Sequence, residues 1–266
     1  RRFLQTINRF VSTGRHRGKI ATGCCNLFTS MVKLGRKKSN GNFLMDPLES
    51  DAPLIVYLDV KSPYAFVSVK PTLALEQELG LQFDWRPYTL DIPSYLGSAK
   101  KENGAVVASS GRSPKIWNAI RYAYMDARRY ATKQGYVLKG TEKIWDSSLA
   151  NMGILFVNLH FRDRIPAYLD AVYPAFWRRE LDIEAIDVVM GCLEAAGVDS
   201  SSFGAFAAGA GRQMHDSILD HRFDAGIYGV PTYVVDGETF FGREHLPFIK
   251  WRLSGEQGQA PDVANE

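Results

Sequence analysis

The segment LIVYLDVKSPYAFVSVK, residues 54–70, decides how the rest of the chain is interpreted. Its first half is a short, continuous apolar run that ends at Asp59, a pattern typical of a strand buried in a parallel sheet. Its second half starts at Ser62-Pro63 and continues with apolar residues at helical spacing. Ser accepts a hydrogen bond from a free backbone N–H at a helix start, and Pro has no N–H to leave unpaired. The segment therefore predicts a strand, a tight junction and a helix.

The residues that follow extend this pattern to a βαβ unit. The helix from Pro63 is predicted to end at Gly80, because glycine is favoured just past a helix C-terminus. Pro71 lies inside this helix and predicts a kink or a break between two helical pieces. The alternating segment at 81–88 predicts a second strand. Strand, helix and strand are expected to form a right-handed crossover.

From about residue 100 the pattern becomes helical for more than a hundred residues. Gly, Pro or Ser stands at most junctions of the predicted segments, which are residues 113–135, 142–161, 165–180, 182–197 and 201–226. Strand character then returns at 230–237 and 238–242, where Asp236-Gly237 is a strong hairpin signal. A last helix is predicted from about Arg243 to Leu253.

These elements predict an α/β fold in which a thioredoxin-like domain contains a large inserted, all-helical subdomain. The thioredoxin-like domain comprises residues 53–99 and 227–254, and the inserted subdomain comprises residues 100–226. A basic amphipathic arm, residues 1–52, precedes the domain, and residues 255–266 form a flexible tail.

Composition restricts the classes of function. The 266 residues are 45% hydrophobic, enough to bury a core, and no apolar run is long enough to cross a membrane. Cys24, Cys25 and Cys192 have neither the number nor the spacing of a disulfide framework or a zinc site. The five histidines are scattered. We therefore expect no metal site and a reducing, cytoplasmic compartment.

The arm carries the chain's basic character. Residues 1–45 contain ten Lys or Arg and no acidic residue, which leaves 22 basic against 29 acidic residues elsewhere. Apolar residues at helical spacing predict two short amphipathic helices, near 3–11 and 24–32. Such an arm packs on its own domain or a partner subunit, binds an anionic membrane surface through residues 1–45, or targets an organelle. Nucleic-acid binding would depend on this arm alone, and we expect none.

Ser62 is the candidate reactive residue, although its dipeptide is by itself only a helix start. The same Ser-Pro pair at Ser113 predicts another helix and nothing more. Ser62, however, follows the first strand, at the edge where open α/β sheets bind ligands and where a helix N-terminus stabilises anions. The segment GVPT, residues 229–232, places Pro231 at a strand entrance, where a cis peptide is expected.

The segments DVKSPYAF (59–66) and GVPTYVVDGETFFG (229–242) together resemble the DsbA-type thioredoxin superfamily. Within it, residues 54–254 are similar to 2-hydroxychromene-2-carboxylate isomerases and kappa-class glutathione transferases. Disulfide-exchanging members begin this helix with Cys-x-x-Cys, whereas this chain has Ser62 and Ala65 in the two cysteine positions. Dithiol–disulfide exchange is therefore excluded at this site.

The resemblance implies glutathione as the cofactor and Ser62 as the catalytic residue, which would hydrogen-bond the glutathione sulfur and favour the thiolate. Val230 would pair its backbone with the cysteinyl part of glutathione, beside cis Pro231. Arg243 and Glu244 replace the family's small polar residue and Asp at the γ-glutamyl end, and Ser98 replaces the family's Asn. The implied cofactor-binding set is Ser62, Pro63, Tyr64, Ser98, Val230, Pro231, Arg243 and Glu244.

The resemblance further implies cis–trans isomerisation of an aromatic pyruvate, in which a thiolate adds reversibly to a conjugated double bond. A kappa-like glutathione transferase or peroxidase, and a non-catalytic binding protein that docks through its arm, are the alternatives. We expect an aromatic or electrophilic small-molecule substrate and a homodimer. Candidates for binding a substrate carboxylate are Lys115, Arg121, Arg128 and Arg243. Candidates for an aromatic pocket are Trp117, Tyr122, Tyr124 and Trp145.

Overall fold

The computed structural model describes residues 36–39, 42–103 and 105–262. The strands are β1 (Arg36–Ser39), β2 (Asn42–Met45), β3 (Ile55–Leu58), β4 (Asp84–Pro87), β5 (Ser98–Glu102), β6 (Ala105–Ser110), β7 (Thr232–Val235) and β8 (Glu238–Phe241). The α-helices are α1 (Pro63–Leu79), α2 (Ile92–Leu96), α3 (Pro114–Lys133), α4 (Ser148–His160), α5 (Ile165–Trp177), α6 (Ile186–Ala195), α7 (Phe203–Ala208), α8 (Ala210–His221) and α9 (Leu246–Leu253). Short 3₁₀ turns, Arg162–Arg164 and Arg243–His245, precede α5 and α9. The amphipathic helices predicted near 3–11 and 24–32 lie outside the described residues.

A mixed sheet of four strands, in the order β4-β3-β7-β8, positions the predicted site. β3 and β4 are parallel, as the predicted βαβ unit requires, and β7 is antiparallel to both β3 and β8. Every residue of β3, β4 and β7 is buried. The predicted thioredoxin-like α/β fold is therefore confirmed.

The sequence predicted a kink or a break at Pro71, and the break does not occur, because helix α1 continues through this residue. Pro71 cannot donate to the carbonyl of Val67, four residues earlier, so that carbonyl would lose its helical partner. The side-chain amide of Gln134, just past α3, donates to the Val67 oxygen at 2.8 Å. A distant residue thus replaces the missing hydrogen bond and keeps α1 in one piece.

Three local predictions are confirmed. Gly80 ends α1 in the left-handed conformation, with φ of 63°. Asp236 and Gly237 both have positive φ and turn the chain between β7 and β8, as expected for a two-residue hairpin. The peptide bond between Val230 and Pro231 is cis.

The insertion is not entirely helical, which corrects the prediction for residues 100–226. It opens with an antiparallel hairpin, β5–β6, whose first strand begins at Ser98. The segment at 142–147 is irregular, so the helix predicted for 142–161 starts only at Ser148. The helix predicted for 201–226 is two helices, α7 and α8, separated at Gly209.

Helix α4 joins the insertion to the sheet. Two of its asparagines accept hydrogen bonds from backbone N–H groups of the thioredoxin-like domain. Asn158 accepts from Trp85 on the edge strand β4 at 3.2 Å, and Asn151 accepts from Val60, just after β3, at 3.1 Å. Both asparagines are buried, so the two parts share one core.

The folded part begins before residue 53, where the arm was predicted to end. β1 and β2 form an antiparallel hairpin, and Met45 at its end is buried. The guanidinium of Arg86, on β4, donates to the carbonyl oxygens of Asp46 at 2.5 Å and Glu49 at 2.7 Å. The last residues of the predicted arm are therefore anchored to the sheet.

Within the described ranges, no helix has the length and apolar character needed to cross a membrane. The same part of the chain holds no group of three or more His, Cys, Asp or Glu side chains arranged to bind a metal ion.

Candidate active site

Ser62 is both the N-cap of α1 and a potential hydrogen-bond donor. It follows β3 directly and has extended backbone angles, and its Oγ accepts a hydrogen bond from the N–H of Ala65 at 3.2 Å. The cap uses an oxygen lone pair, which leaves the hydroxyl proton available for another partner. Ser62 is 4% exposed. A bound anion here would also face the positive end of the dipole of a 17-residue helix.

Ser62 borders a cavity of about 860 Å³. The cavity lies among the start of α1, helix α3, the loop at 140–145 and the Gly229-Val230 pair that precedes the cis proline. It contains much of the predicted site. The predicted residues that line it are Ser62, Pro63, Tyr64, Trp117, Arg121, Tyr124, Arg128, Trp145 and Val230.

Several predicted contact residues do not line this cavity. Ser98 is paired with Ser110 in the β5–β6 hairpin. The guanidinium of Arg243 lies 3.5 Å from the ring centre of Tyr130 on α3, and the Glu244 carboxylate is packed against Gly242. The other predicted residues outside the cavity lining are Pro231, Lys115 and Tyr122.

Basic side chains dominate the charge of the cavity, although the body of the chain is acidic. The lining residues with charged side chains are Lys61, Lys101, Arg112, Arg121, Arg128, Glu142 and Lys143. Arg112 donates to the carbonyl oxygens of Leu96 and Gly97, at 3.1 and 3.3 Å, and lies over the Trp117 ring. A single acid against six basic residues makes the cavity suited to an anionic ligand.

Sequence reasoning missed four of these basic residues. Lys61 stands in the quoted segment beside Ser62, whereas Lys101 and Arg112 belong to the unpredicted hairpin region and Lys143 to an irregular loop. The Asn103-Gly104 dipeptide is a hairpin signal, and from it the proximity of Lys101 and Arg112 could have been predicted.

Aromatic side chains form the walls and the mouth of the cavity. Tyr95, Tyr228 and Phe241 are 52%, 65% and 43% exposed, and the rings of Tyr228 and Phe241 are 5.0 Å apart. Inside, the Tyr64 hydroxyl donates to Asp126 at 3.3 Å. Burial, together with the negative charge of Asp126, raises the pKa of Tyr64 to about 12, so the phenol keeps its proton at neutral pH.

A buried polar network supports the junction from below. Asp59, at the end of β3, is fully buried, and its Oδ1 accepts from the Ser147 hydroxyl at 2.5 Å and the Asn151 amide at 3.0 Å. The Asn151 amide also donates to Thr89, whose hydroxyl lies 2.8 Å from His215. The insertion thus fixes the residue that leads into Ser62.

Comparison with known proteins matches residues 53–254 to the family described as the DSBA-like thioredoxin domain. A relative from Sphingobium xenophagum named 2-hydroxychromene-2-carboxylate isomerase is 23% identical over 198 residues, 73% of this chain and 94% of the relative. A relative of the same name from Pseudomonas putida is 23% identical over 213 residues, 79% of this chain and 98% of the relative.

Solved structures show the same fold. A 2-hydroxychromene-2-carboxylate isomerase aligns with a TM-score of 0.58 and 20% identity, over 76% of this chain and 94% of that one. A probable DsbA oxidoreductase from Streptomyces coelicolor also aligns with a TM-score of 0.58, at 16% identity, over 78% of this chain and 92% of that one. The chain therefore belongs to the DsbA-like thioredoxin family, with relatives named as isomerases.

Proposed function

We propose that this protein is a glutathione-dependent cis–trans isomerase of an aromatic pyruvate-type substrate, similar to 2-hydroxychromene-2-carboxylate. The names of the relatives support the reaction class. A reducing cytoplasmic compartment, where glutathione is kept reduced, suits this function.

The observation that carries the proposal is that Ser62 and Val230 line the same cavity, whose charged side chains are mostly basic. The hydroxyl proton of Ser62 is free to donate to a sulfur, and Val230 precedes a cis proline. Glutathione has two carboxylates and a thiol, which the basic lining and the start of α1 can accommodate. The positions of Arg243 and Glu244 do not support the γ-glutamyl contacts that the family resemblance implied.

In this reaction, glutathione would supply a thiolate that adds to a conjugated double bond and leaves after the bond has rotated, without net oxidation or reduction. Ser62 would donate a hydrogen bond to the sulfur, and the start of α1 would stabilise its negative charge. Trp117, Tyr124 and Trp145 would contact the aromatic ring and exclude water from it.

The proposal is tested by calorimetric titration with glutathione and by the ultraviolet absorbance of its thiolate. We expect wild-type protein to bind glutathione and ionise it at neutral pH. Ser62→Ala should keep most of the binding and lose the thiolate signal, because a hydrogen bond to the ionised form lowers the thiol pKa. Ser113→Ala is the matched control, since Ser113 caps α3 in the same way, accepting from Ile116 at 3.3 Å.

Failure of millimolar glutathione to bind would contradict the proposal. Isomerisation of aromatic pyruvates, conjugation of model electrophiles and reduction of peroxides should be assayed in parallel. Conjugation or peroxide reduction without isomerisation would favour a kappa-like transferase or peroxidase.

A further inference from the structure

Lys61 is an unusually placed basic residue at the candidate active site. It immediately precedes Ser62, lines the same cavity and is only 6% exposed. Its ammonium nitrogen lies 3.9 Å from Oδ2 of Asp59. The charge of a buried ammonium is costly unless it is paired, and Asp59 supplies the opposite charge.

Asp59 is held in place without the Lys61 ammonium. Its Oδ1 accepts hydrogen bonds from Ser147, Asn151 and the backbone N–H of Lys61, and its Oδ2 accepts one from the N–H of Leu90 at 2.8 Å. These four donors fix the carboxylate and compensate much of its burial. Asp59 therefore acts as a fixed counter-charge that holds Lys61 at the cavity.

The N–H donors of the Lys61 ammonium have no hydrogen-bond acceptor among the described residues. Its 3.9 Å distance to Asp59 exceeds the length of a hydrogen bond. An ammonium group has three N–H donors, and a buried polar group left without partners is costly. A ligand bound in the cavity can supply hydrogen-bond acceptors to the Lys61 ammonium.

We propose that Lys61 binds the 2-oxo-carboxylate end of the substrate. This inference rests on the proposed function. In an aromatic 2-oxo acid, the carboxylate and 2-oxo oxygens accept hydrogen bonds, and negative charge moves onto the 2-oxo oxygen when the conjugated double bond is attacked. A fixed, partly desolvated cation stabilises that charge.

The arginines predicted from the sequence are less suited to this role. Arg121 is exposed and its one described partner is the Asn118 side chain at 3.4 Å. Arg128 is exposed and directs its Nε to the carbonyl oxygen of Leu138. Exposed charges are screened by solvent, so these residues attract an anion to the cavity more than they bind it.

The test measures binding of benzoylformate, an aromatic 2-oxo acid without the reactive double bond, by calorimetry on the full chain. Lys61→Met should weaken binding by about 10- to 100-fold, the loss expected for a charged hydrogen bond. Lys133→Met, which removes the same charge from an exposed position on α3, should bind like wild type. Lys61→Gln keeps a polar end and provides a second neutral variant if the Met variant unfolds.

Glutathione should still bind these variants, because the other five basic residues of the lining remain, and its thiolate absorbance should persist, because Ser62 and the start of α1 are unchanged. Wild type that does not bind benzoylformate, or Lys61 variants that bind it as wild type does, would overturn the inference. Loss of the thiolate signal with benzoylformate binding intact would also overturn it, because Lys61 would then act on the sulfur. Failure of glutathione to bind any variant refutes the proposed cofactor but leaves the benzoylformate result as a separate measure of Lys61.

Discussion

Single residues at this site combine structural and chemical roles. The oxygen of Ser62 caps α1 while its proton is free, so the helix-start pattern in the sequence neither requires nor excludes a role in catalysis. The neighbouring Lys61 could be read as a solvated charge, yet it is buried beside a fixed carboxylate. The carboxylate is fixed by Leu90 and Ser147, which are about 30 and 90 residues away in the chain. Their proximity to Lys61 cannot be predicted from their spacing in the sequence.

His215 makes the stability of the protein dependent on pH. It is 2% exposed, and burial lowers its pKa below the ordinary 6.5, an effect that Asp216 partly opposes. The neutral ring satisfies both neighbours: Nδ1 lies 2.9 Å from Asp216, and Nε2 lies 2.8 Å from the Thr89 hydroxyl, whose oxygen already accepts from Asn151. In the protonated ring, the Nε2 proton would face the Thr89 hydroxyl, which is arranged to donate its own proton to Nε2.

We therefore expect the free energy of unfolding to fall as the pH drops below 6.5. The unfolded histidine takes up a proton near pH 6.5, whereas the folded one does so only at lower pH. The loss is about 1.4 kcal/mol per pH unit until the folded pKa is reached. Urea unfolding between about pH 7.5 and 5.5 measures it. His215→Gln should remove this part of the pH dependence, and an unchanged slope would contradict the assignment.

At the level of elements, the packing of α4 on α5 depends on a glycine. Gly153 on α4 faces Tyr168 on α5, and a Cβ at residue 153 would overlap the Tyr168 hydroxyl. That hydroxyl is fully buried and donates to the carbonyl oxygen of Ala150 at 2.9 Å, so its displacement would break a buried hydrogen bond. The two helices therefore approach as closely as a residue without a side chain allows.

Gly153→Ala should destabilise the protein by about 3 kcal/mol, because it overpacks a closed interface and displaces a buried hydrogen bond. Gly191→Ala is the matched control. Gly191 is an exposed glycine inside α6, and its Cβ would meet nothing within 4 Å. That substitution should stabilise by about 0.5–1 kcal/mol through helix propensity. Urea unfolding of both variants checks the pair, and equal effects would refute the packing argument.

Elements with strong local signals could be predicted from the sequence, and those set by distant contacts could not. The Ser62 cap, the Gly80 helix end and the Asp236-Gly237 turn are local and were correct. The continuity of α1 past Pro71 depends on Gln134, about 60 residues away. The β5–β6 hairpin was missed because every residue of β6 is exposed, so its sequence lacks the apolar alternation of a half-buried strand.

Across the whole molecule, the candidate site could be predicted only in part. The sequence indicated Ser62 through its place at a strand-to-helix junction and Val230 through the family resemblance, and the structure places both at one cavity. The basic lining comes from the junction between β3 and α1, the β5–β6 region, α3 and an irregular loop, and only the tertiary fold brings these segments together. Arg243 was expected at the cofactor by alignment with the family, but here it lies over Tyr130.

The boundary of the folded unit is a further property of the whole molecule. Arg86 and Asp84 form a buried ion pair at 2.7 Å on the edge strand of the sheet. The Asp46 and Glu49 carbonyl oxygens complete the hydrogen bonding of Arg86, and the Ser50 hydroxyl donates to Asp84 at 2.7 Å. Burial opposes ionisation of Asp84, but the Arg86 charge and the hydrogen bonds outweigh it and lower its pKa.

A chain that begins at Pro53, where the family match starts, should therefore be less stable than one that begins at Arg36. Its Arg86 would lose two charged hydrogen bonds, and the buried pair would gain access to solvent at the sheet edge, for a cost of about 3 kcal/mol. Urea unfolding of the full chain and both shortened chains measures the difference. If the chain from Pro53 were equally stable, the hydrogen bonds from residues 46–50 to the Arg86–Asp84 ion pair would not contribute to stability. The domain would then begin where the family match begins.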